Sequence, residues 1–453
     1  MVLISIFKTI NLTLITREIN IMTKLRLSKL TGAIILALGV STSAMAADTS
    51  SAMRGKITTP SGGSAANVKI KVIHQPTGTI SELTTNESGT FIANGLRVGG
   101  PYMVIIDSDT FNDTTVENIY LNLGETYRLS SQLAPLNIEK IEVSGYKIVQ
   151  QSGGSSSTFG SDTIENMPSF NRDIKDIARL NPLASINGNG ELTFAGSNPR
   201  SNGLTVDGIG QNDDFGLSYG GYPTSQPPVA LDAIEQISVD VSPFSASKGN
   251  FGGGTINAVT KSGTNEFKFS GFYETSTPDI AGDVDSISQV YTDGRPALDE
   301  DGHRTYVIEK VEPIQTEKRY GFNVGGPLID DTLFYFVNYN KWTSELDLDY
   351  GFEGSGATNE YDVTEDNYNN FLNILSNEYG LTDSLGGDPK DTNESLLVKL
   401  SWNINDAHRL DFTYQWQDDK DETNVGTGGS TVSLASSRYT YATKFNNFAT
   451  KLY

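Results

Sequence analysis

At 453 residues the chain is long enough for about three domains, and its 33 Lys and Arg against 55 Asp and Glu give a formal net charge of −22. A chain this acidic repels a phosphate backbone, which argues against nucleic acid as a partner. The absence of Cys excludes a disulfide scaffold, a thiolate zinc site, an iron–sulfur cluster and a cysteine nucleophile. With 45 Gly, 20 Tyr, 20 Phe and only 19% charged residues, the composition suggests a mainly β chain with many turns.

Met22 opens a pattern that reads as a secretory signal. Lys24, Arg26 and Lys29 form a positive region, residues 30–40 a short apolar core, and Ala44-Met45-Ala46 an A-x-A cleavage site. Residues 1–46 are therefore expected to be a signal peptide, with Met22 an alternative start. The apolar run is about 11 residues, where a spanning helix needs about 20. No later stretch is apolar enough to span as a helix, so any membrane role has to be built from strands.

Residues 52–134 hold short alternating runs such as Val68-Lys69-Ile70-Lys71-Val72-Ile73 and Tyr102-Met103-Val104-Ile105-Ile106. Turn chemistry separates them at Pro60-Ser61-Gly62-Gly63, Asn86-Glu87-Ser88-Gly89 and Gly99-Gly100-Pro101. Strands every ten or so residues predict a small β-sandwich. Arg54-Gly55-Lys56-Ile57, Thr84-Thr85-Asn86-Glu87-Ser88-Gly89-Thr90-Phe91 and Gly99-Gly100-Pro101-Tyr102 resemble the carboxypeptidase regulatory-like domain, which carries no catalytic residue.

Residues 136–145 form a β-prone run, read either as the last strand of the sandwich or as an exposed strand that pairs with a partner's sheet edge. Residues 150–160 are rich in Ser and Gly and read as a flexible linker. Next, Asn171 is expected to cap a helix with Ile174, Ile177 and Leu180 on its apolar face. A second short helix over residues 231–236 leads into a strand at Ile237-Ser238-Val239-Asp240-Val241. Gly-rich connections dominate between them, as in a small α+β domain over residues 146–263.

From Thr264 onward the pattern has period two. Leu396, Val398, Leu400, Trp402 and Ile404 alternate with Leu397, Lys399, Ser401 and Asn403, and Leu410, Phe412, Tyr414 and Trp416 with Arg409, Asp411, Thr413 and Gln415. A soluble sandwich alternates in the same way. Connection lengths decide between them: short turns at 327–331 and 405–408 alternate with long polar connections at about 275–304, 343–393 and 418–436, as in an outer-membrane barrel. Tyr335, Tyr339, Trp342, Trp402, Trp416, Tyr439 and Tyr441 suit aromatic girdles. One long loop is expected to hold a helix capped by Thr364, with Tyr368, Phe371, Leu372, Leu375 and Tyr379 on one face and Gly380 closing it.

Three segments carry a family resemblance: Arg200-Ser201-Asn202-Gly203-Leu204-Thr205-Val206-Asp207-Gly208-Ile209, Asp232-Ala233-Ile234-Glu235-Gln236-Ile237-Ser238-Val239 and Asn250-Phe251-Gly252-Gly253-Gly254-Thr255-Ile256-Asn257-Ala258-Val259-Thr260-Lys261-Ser262-Gly263. They resemble the plug of a TonB-dependent outer-membrane receptor, most closely the Oar-like subgroup, which also has a leading regulatory-like domain. Arg200, Val206, Asp207, Gly208, Gly252, Gly253, Gly254 and Asn257 are the plug-motif residues. The resemblance implies a small sandwich, an α+β plug and then an antiparallel barrel embedded in outer-membrane lipid. It also implies import of an unidentified extracellular ligand, driven by a periplasmic TonB-type energy-transducing protein.

Ile138, Glu139, Lys140, Ile141, Glu142 and Val143 lie where the TonB box of that family would stand, with Lys140 interrupting the usual acidic-then-apolar run. The resemblance further implies a barrel of about 22 strands, whereas residues 264–453 accommodate about six to eight. The chain is thus expected to be a fragment that does not close its own barrel.

Enzyme readings fare poorly. Gly216-Leu217-Ser218-Tyr219-Gly220 fits G-x-S-x-G without the helix an elbow needs, and Ser245-Ala246-Ser247-Lys248 lacks the partner motifs of a penicillin-binding enzyme. His74, His303 and His408 lie in separate units and read as solvated surface groups, and the acidic loops lack calcium-site spacing. No catalytic, cofactor or metal site is read. The alternative to an importer is a non-transporting surface protein acting in adhesion or secretion.

Overall fold

The computed structural model describes residues 49–136, 155–169, 172–187, 190–213, 221–243, 249, 251–282, 284–289, 291–292, 295–299, 302–311, 315–346, 350–357, 359–424 and 432–453. The signal-peptide cleavage site (Ala44, Ala46) and the candidate partner strand (Ile138, Glu139, Lys140, Ile141, Glu142, Val143) lie outside the described residues, as do Asn171 and both serine motifs.

The first domain is a sandwich of seven strands: β1 (Ser51–Thr58), β2 (Lys69–His74), β3 (Thr79–Thr84), β4 (Thr90–Leu96), β5 (Gly99–Asp107), β6 (Thr114–Leu121) and β7 (Thr126–Gln132). One sheet has the order β4-β1-β7 and the other β3-β2-β5-β6. Alternation sets the core. Ile70 and Val72 of β2 and Tyr102, Val104 and Ile106 of β5 point inward against Met53, Ile57, Phe91 and Leu129 of the facing sheet. A Cβ at Gly55 would lie 1.9 Å from the Phe91 ring, so only glycine lets that ring cross β1.

The second domain is built on a five-stranded sheet of order β12-β11-β14-β13-β8, from β8 (Ser155–Gly160), β11 (Gly203–Val206), β12 (Ile209–Gly210), β13 (Ile234–Val241) and β14 (Gly254–Thr260). A small hairpin, β9 (Ala184–Ile186) with β10 (Leu192–Phe194), and two short helices, Ser161–Asn166 and Ile174–Ala178, complete it.

Three sequence expectations need correction here. Residues 155–160 are not linker: β8 pairs antiparallel with β13, its small side chains fitting an edge strand. The helix at Ile174–Ala178 is capped by Asp173, whose carboxylate accepts from Lys175 N at 2.9 Å, and Leu180 lies exposed beyond its end. The helix expected over residues 231–236 is a single 3-10 turn, Leu231–Ala233, because the β-branched residues Ile234, Ile237, Val239 and Val241 favour a strand that begins at Ile234.

The third region is an open six-stranded antiparallel sheet, order β15-β20-β21-β24-β25-β26, each strand hydrogen-bonded to the next in sequence order. Its members are β15 (Lys268–Ser276), β20 (Gln315–Ile329), β21 (Leu333–Leu346), β24 (Lys390–Asn405), β25 (His408–Asn424) and β26 (Arg438–Leu452). The tight turns at 330–332 and 406–407 share one end of this sheet, the short-turn end. The connections at the opposite, long-loop end hold β16 (Val284–Gln289), β17 (Tyr291–Thr292), β18 (Arg295–Pro296), β19 (Tyr306–Val311), β22 (Tyr350–Gly351) and β23 (Asn359–Glu360).

A loop helix, Glu365–Tyr379, also stands there. Thr364 Oγ1 accepts from Asn367 N at its start, and Gly380 closes it in the left-handed region. Tyr368 is buried, but Phe371 and Tyr379 of the expected apolar face are exposed.

Because β1 has no room for a side chain at position 55, Gly55→Ala is expected to destabilise the sandwich by about 1–3 kcal/mol through overpacking. A lowered urea midpoint with unchanged slope measures it.

Candidate functional site

The six-stranded sheet is inside out by the standards of a soluble protein. On β25, Arg409, Asp411, Thr413, Gln415, Gln417 and Asp419 are all buried, while Leu410, Phe412, Tyr414 and Trp416 between them are partly open. On β24, Asn393, Ser395, Lys399, Ser401 and Asn403 are buried, whereas Trp402 and Ile404 are exposed. Tyr320 and Phe322 of β20 are likewise exposed, beside buried Asn323. A soluble sheet hides the apolar set. Here the hidden set of β24 and β25 is polar apart from Leu397, with Phe334, Phe336 and Trp342 of β21 added to the covered face. The α+β domain covers it, the arrangement of a membrane barrel with a largely polar interior. One girdle residue is corrected: Trp342 falls on the covered face and is buried, set there by the period-two register of β21.

Asp207 is a point where the plug and the barrel wall meet through a buried ion pair. Asp207 and Gly208 form the two-residue loop between β11 and β12, both with positive φ (45° and 72°), the conformation for which Asp-Gly is favoured. The loop aims the carboxylate at the end of β14. It accepts from Thr260 N at 3.0 Å and Thr260 Oγ1 at 2.5 Å. From the barrel wall, Lys399 Nζ lies 3.5 Å from Asp207 Oδ1, and Thr413 Oγ1 donates at 3.4 Å. The ammonium of Lys399 also donates to Thr260 O at 3.0 Å and to Thr260 Oγ1 at 3.2 Å. Both charges are buried, each with the other and with hydroxyl or carbonyl groups around it.

Above this pair, toward the long-loop end, the plug climbs β25 by hydrogen bonds. Gln211 Nε2 donates to Gln415 Oε1 at 3.0 Å, Gln415 Nε2 to Pro228 O, and Gln417 Nε2 to Pro227 O at 3.1 Å. Ser225 donates from both N and Oγ to Asp419, each at 2.8 Å. On the other flank, Arg319 Nη2 donates to Gln226 at 2.9 Å and Asn323 Nδ2 to Asp232 at 2.8 Å.

Val206 is buried in the plug core, and Arg200 lies in a 3-10 turn, Pro199–Ser201. Cβ atoms at Gly252, Gly253 and Gly254 would approach Ser201, Ser197 and the Phe194 ring within 2.9, 2.0 and 2.6 Å, so the glycine run lets three segments converge. Asn257 Oδ1 accepts from Thr205 Oγ1 at 2.9 Å, tying β14 to β11.

At the short-turn end, sandwich, plug and barrel wall surround a cleft of about 760 Å³ whose lining includes His74, Arg97, Asp207, Glu235, Lys399 and Asp411. His74 is not the solvated group expected from sequence. It is buried, its ring tilted against that of Tyr102 with centroids 4.7 Å apart, and bonded through Nδ1 to Thr77 Oγ1 at 2.7 Å. Burial, helped by the Arg97 and Arg409 charges, lowers its pKa to about 3. Burial also pulls Arg97 down to about 10, Arg409 adding to the effect, and raises the Glu235 carboxyl.

Sequence reasoning singled out Asp207 but missed the wall residues that meet it and the rest of the plug. Lys399, Thr413, Gln415, Gln417 and Asp419 are the polar alternates of barrel strands. Their period was legible, but contact with residues about 200 positions earlier was not.

Comparison with known proteins adds context. The carboxypeptidase regulatory-like domain family matches residues 52–134. A TonB-dependent transporter, Oar, of Myxococcus xanthus is 25% identical over 254 residues, covering 53% of this chain and 22% of that protein. A probable TonB-dependent siderophore receptor, PirA, of Acinetobacter baumannii is 28% identical over 250 residues, covering 51% and 29% respectively. The matched stretch thus spans less than a third of either relative. Among solved structures, the outer membrane transporter YddB of Escherichia coli superposes with a TM-score of 0.43 at 16% identity, over 66% of this chain and 36% of that one.

Two outcomes are expected from this geometry. Lys399→Ala leaves Asp207 buried without its cation and should cost about 3–5 kcal/mol, read as faster limited proteolysis of the plug; Lys399→Arg should recover part of it. For His74, the folded pKa lies below the ordinary 6.5, so the unfolded chain binds the proton first. Stability should fall between about pH 6.5 and 3, by up to about 1.4 kcal/mol per pH unit, and be unaffected by His74 above that window. The difference in urea midpoints between the wild type and His74→Gln, followed from pH 7 to pH 4, isolates this contribution.

Proposed function

We propose that this chain, a relative of the TonB-dependent receptors led by a carboxypeptidase regulatory-like domain, works in the cell outer membrane as a plugged importer of an extracellular ligand. Its chemistry is confined to binding and gating, with no covalent step on the ligand. The observation that carries the reading is the inverted sheet: a polar face covered by the plug through hydrogen bonds, and an apolar, aromatic face turned outward. An outward apolar face suits lipid, while a polar inner face suits a lumen that is wet once the plug moves.

The plug is held in a way that permits release. Most of its wall contacts are side-chain hydrogen bonds, which exchange for water at small net cost because each protein–protein bond broken is replaced by protein–water bonds. In the proposed mechanism a periplasmic TonB-type protein adds a strand to Ile138, Glu139, Lys140, Ile141, Glu142 and Val143, and tension on that segment shifts the plug. Strand addition supplies affinity through backbone hydrogen bonds, so the sequence of the segment matters less than its freedom to be extended. The acidic loops disfavour small anions as ligands and suit cationic, metal-bearing or neutral ones.

Proline at a pairing position removes an N–H and bends the strand. Ile141→Pro in the full-length receptor is expected to abolish its capture by the purified carboxy-terminal domain of the TonB-type partner, with folding and membrane insertion unchanged. Undiminished capture would overturn the assignment of residues 138–143.

A further inference from the structure

Resting on that reading, we propose that the amino-terminal sandwich is a latch: docked on the short-turn end, it ties plug to barrel, and the plug moves only after the sandwich lets go. The sandwich touches both bodies at once. Toward the plug, Leu123 N donates to Gln236 Oε1, and Val98 and Leu123 form a small apolar cluster with Val259 of β14. Toward the barrel, Arg97 Nη2 donates to Asn403 Oδ1 at 3.1 Å, and Asn403 Nδ2 donates to Thr79 Oγ1 at 2.9 Å. Arg409 Nη1 donates to Gly95 O at 3.1 Å, and Asn265 N to Pro76 O at 2.9 Å.

Arg97 is the bolt. It projects from the connection between β4 and β5, is buried, and sits 4.0 Å from Asp411 on the inner face of the wall. A cation this deep is held only where it is paired and hydrogen-bonded, so its burial ties the sandwich to one position on the barrel. Withdrawal is nevertheless reversible. Asp411 keeps a second partner, Arg409 Nε at 3.3 Å, so the wall is not left with an unpaired carboxylate when Arg97 departs into water.

Chain order couples the latch to the pull. The candidate partner strand lies in sequence between β7 and β8. Each of these is an edge strand, β7 of the sandwich sheet β4-β1-β7 and β8 of the plug sheet. Tension on the intervening segment therefore loads the sandwich and the plug together, and the sandwich bars the plug's way at the short-turn end.

The absence of cysteine makes the test clean. A Cβ at Gly95 would lie 3.4 Å from Tyr453 Cβ, close to the separation a disulfide spans. The lock is Gly95→Cys with Tyr453→Cys. Should the left-handed backbone at Gly95 disfavour the bond, Thr79→Cys with Asn403→Cys joined by a short bis-maleimide is the second lock. The reporter is Gln211→Cys, which faces the wall in the docked plug, alkylated by fluorescein maleimide in whole cells carrying the full-length receptor and mapped by peptide mass.

Without a lock, alkylation at position 211 should be several-fold higher in energised cells than after a protonophore. With either lock closed, that excess should vanish, and for the disulfide it should return on reduction. Persistence of the excess in a locked receptor overturns the latch while leaving energised gating intact. No excess even in the unlocked receptor overturns the importer reading itself, and the latch with it.

Discussion

A strand whose alternate residues are Arg, Asp, Thr, Gln, Gln and Asp has to keep that row solvated or hydrogen-bonded, because each buried group left without a partner costs about 1–3 kcal/mol. Strand β25 hides the whole row, and this constraint shapes the rest of the molecule. The plug is the surface that satisfies it, offering Gln211, Thr224, Ser225 and the carbonyls of Pro227 and Pro228 at matching heights. The sandwich meets the lower end of the same row, where Arg97 and the Gly95 carbonyl answer Asp411 and Arg409. The outward face needs no such partner, because lipid asks only that side chains be apolar and that the backbone be paired along the ladder.

Within this seam the Lys399–Asp207 pair has a different task from the glutamines. Removing two charges from water is expensive, and their mutual attraction roughly repays the loss, so the pair contributes little net stability but strongly penalises any arrangement that separates its members. It sets position. The turn at Asp207-Gly208 holds the carboxylate on the plug side, Thr260 supplies two donors, and the lysine arrives from the wall between Leu397 and Ser401. A shift of one residue in the register of β24 would turn Lys399 outward and bring an apolar neighbour to Asp207.

How far this was legible in the sequence varied with the range of the interaction. Period-two alternation located the strands, and turn lengths ordered their ends, because both are local properties of the chain. Alternation is blind to which face is covered, however, and only the plug's position shows that the polar set is inside and that Trp342 lies with it. Residues 155–160 look like linker because Ser and Gly have no strong strand preference; pairing with β13, some 80 residues later, overrides that. His74 reads as a surface group until Tyr102 and Arg97 are folded over it.

The distribution of apolar contacts is what the proposed movement of the plug depends on. Its core is almost wholly its own: Ile174, Ile177, Phe194, Val206, Ile237, Val239 and Ile256 pack on one another. Among the described residues, only Phe336 and Leu397 reach that core from the barrel wall. Apolar burial holds the plug together, while hydrogen bonds and, among the described residues, the ion pairs Lys399–Asp207 and Arg172–Glu274 hold it to the wall. Water entering the seam can substitute for the hydrogen bonds but gains nothing by entering the core. Under the proposed gating, tension on the segment before β8 meets a weak boundary around a cohesive body, so that the plug would shift as a unit before its own sheet came apart. The contacts between sandwich and barrel have the same polar character, so under the proposed latch the same tension releases them first, without unfolding either domain.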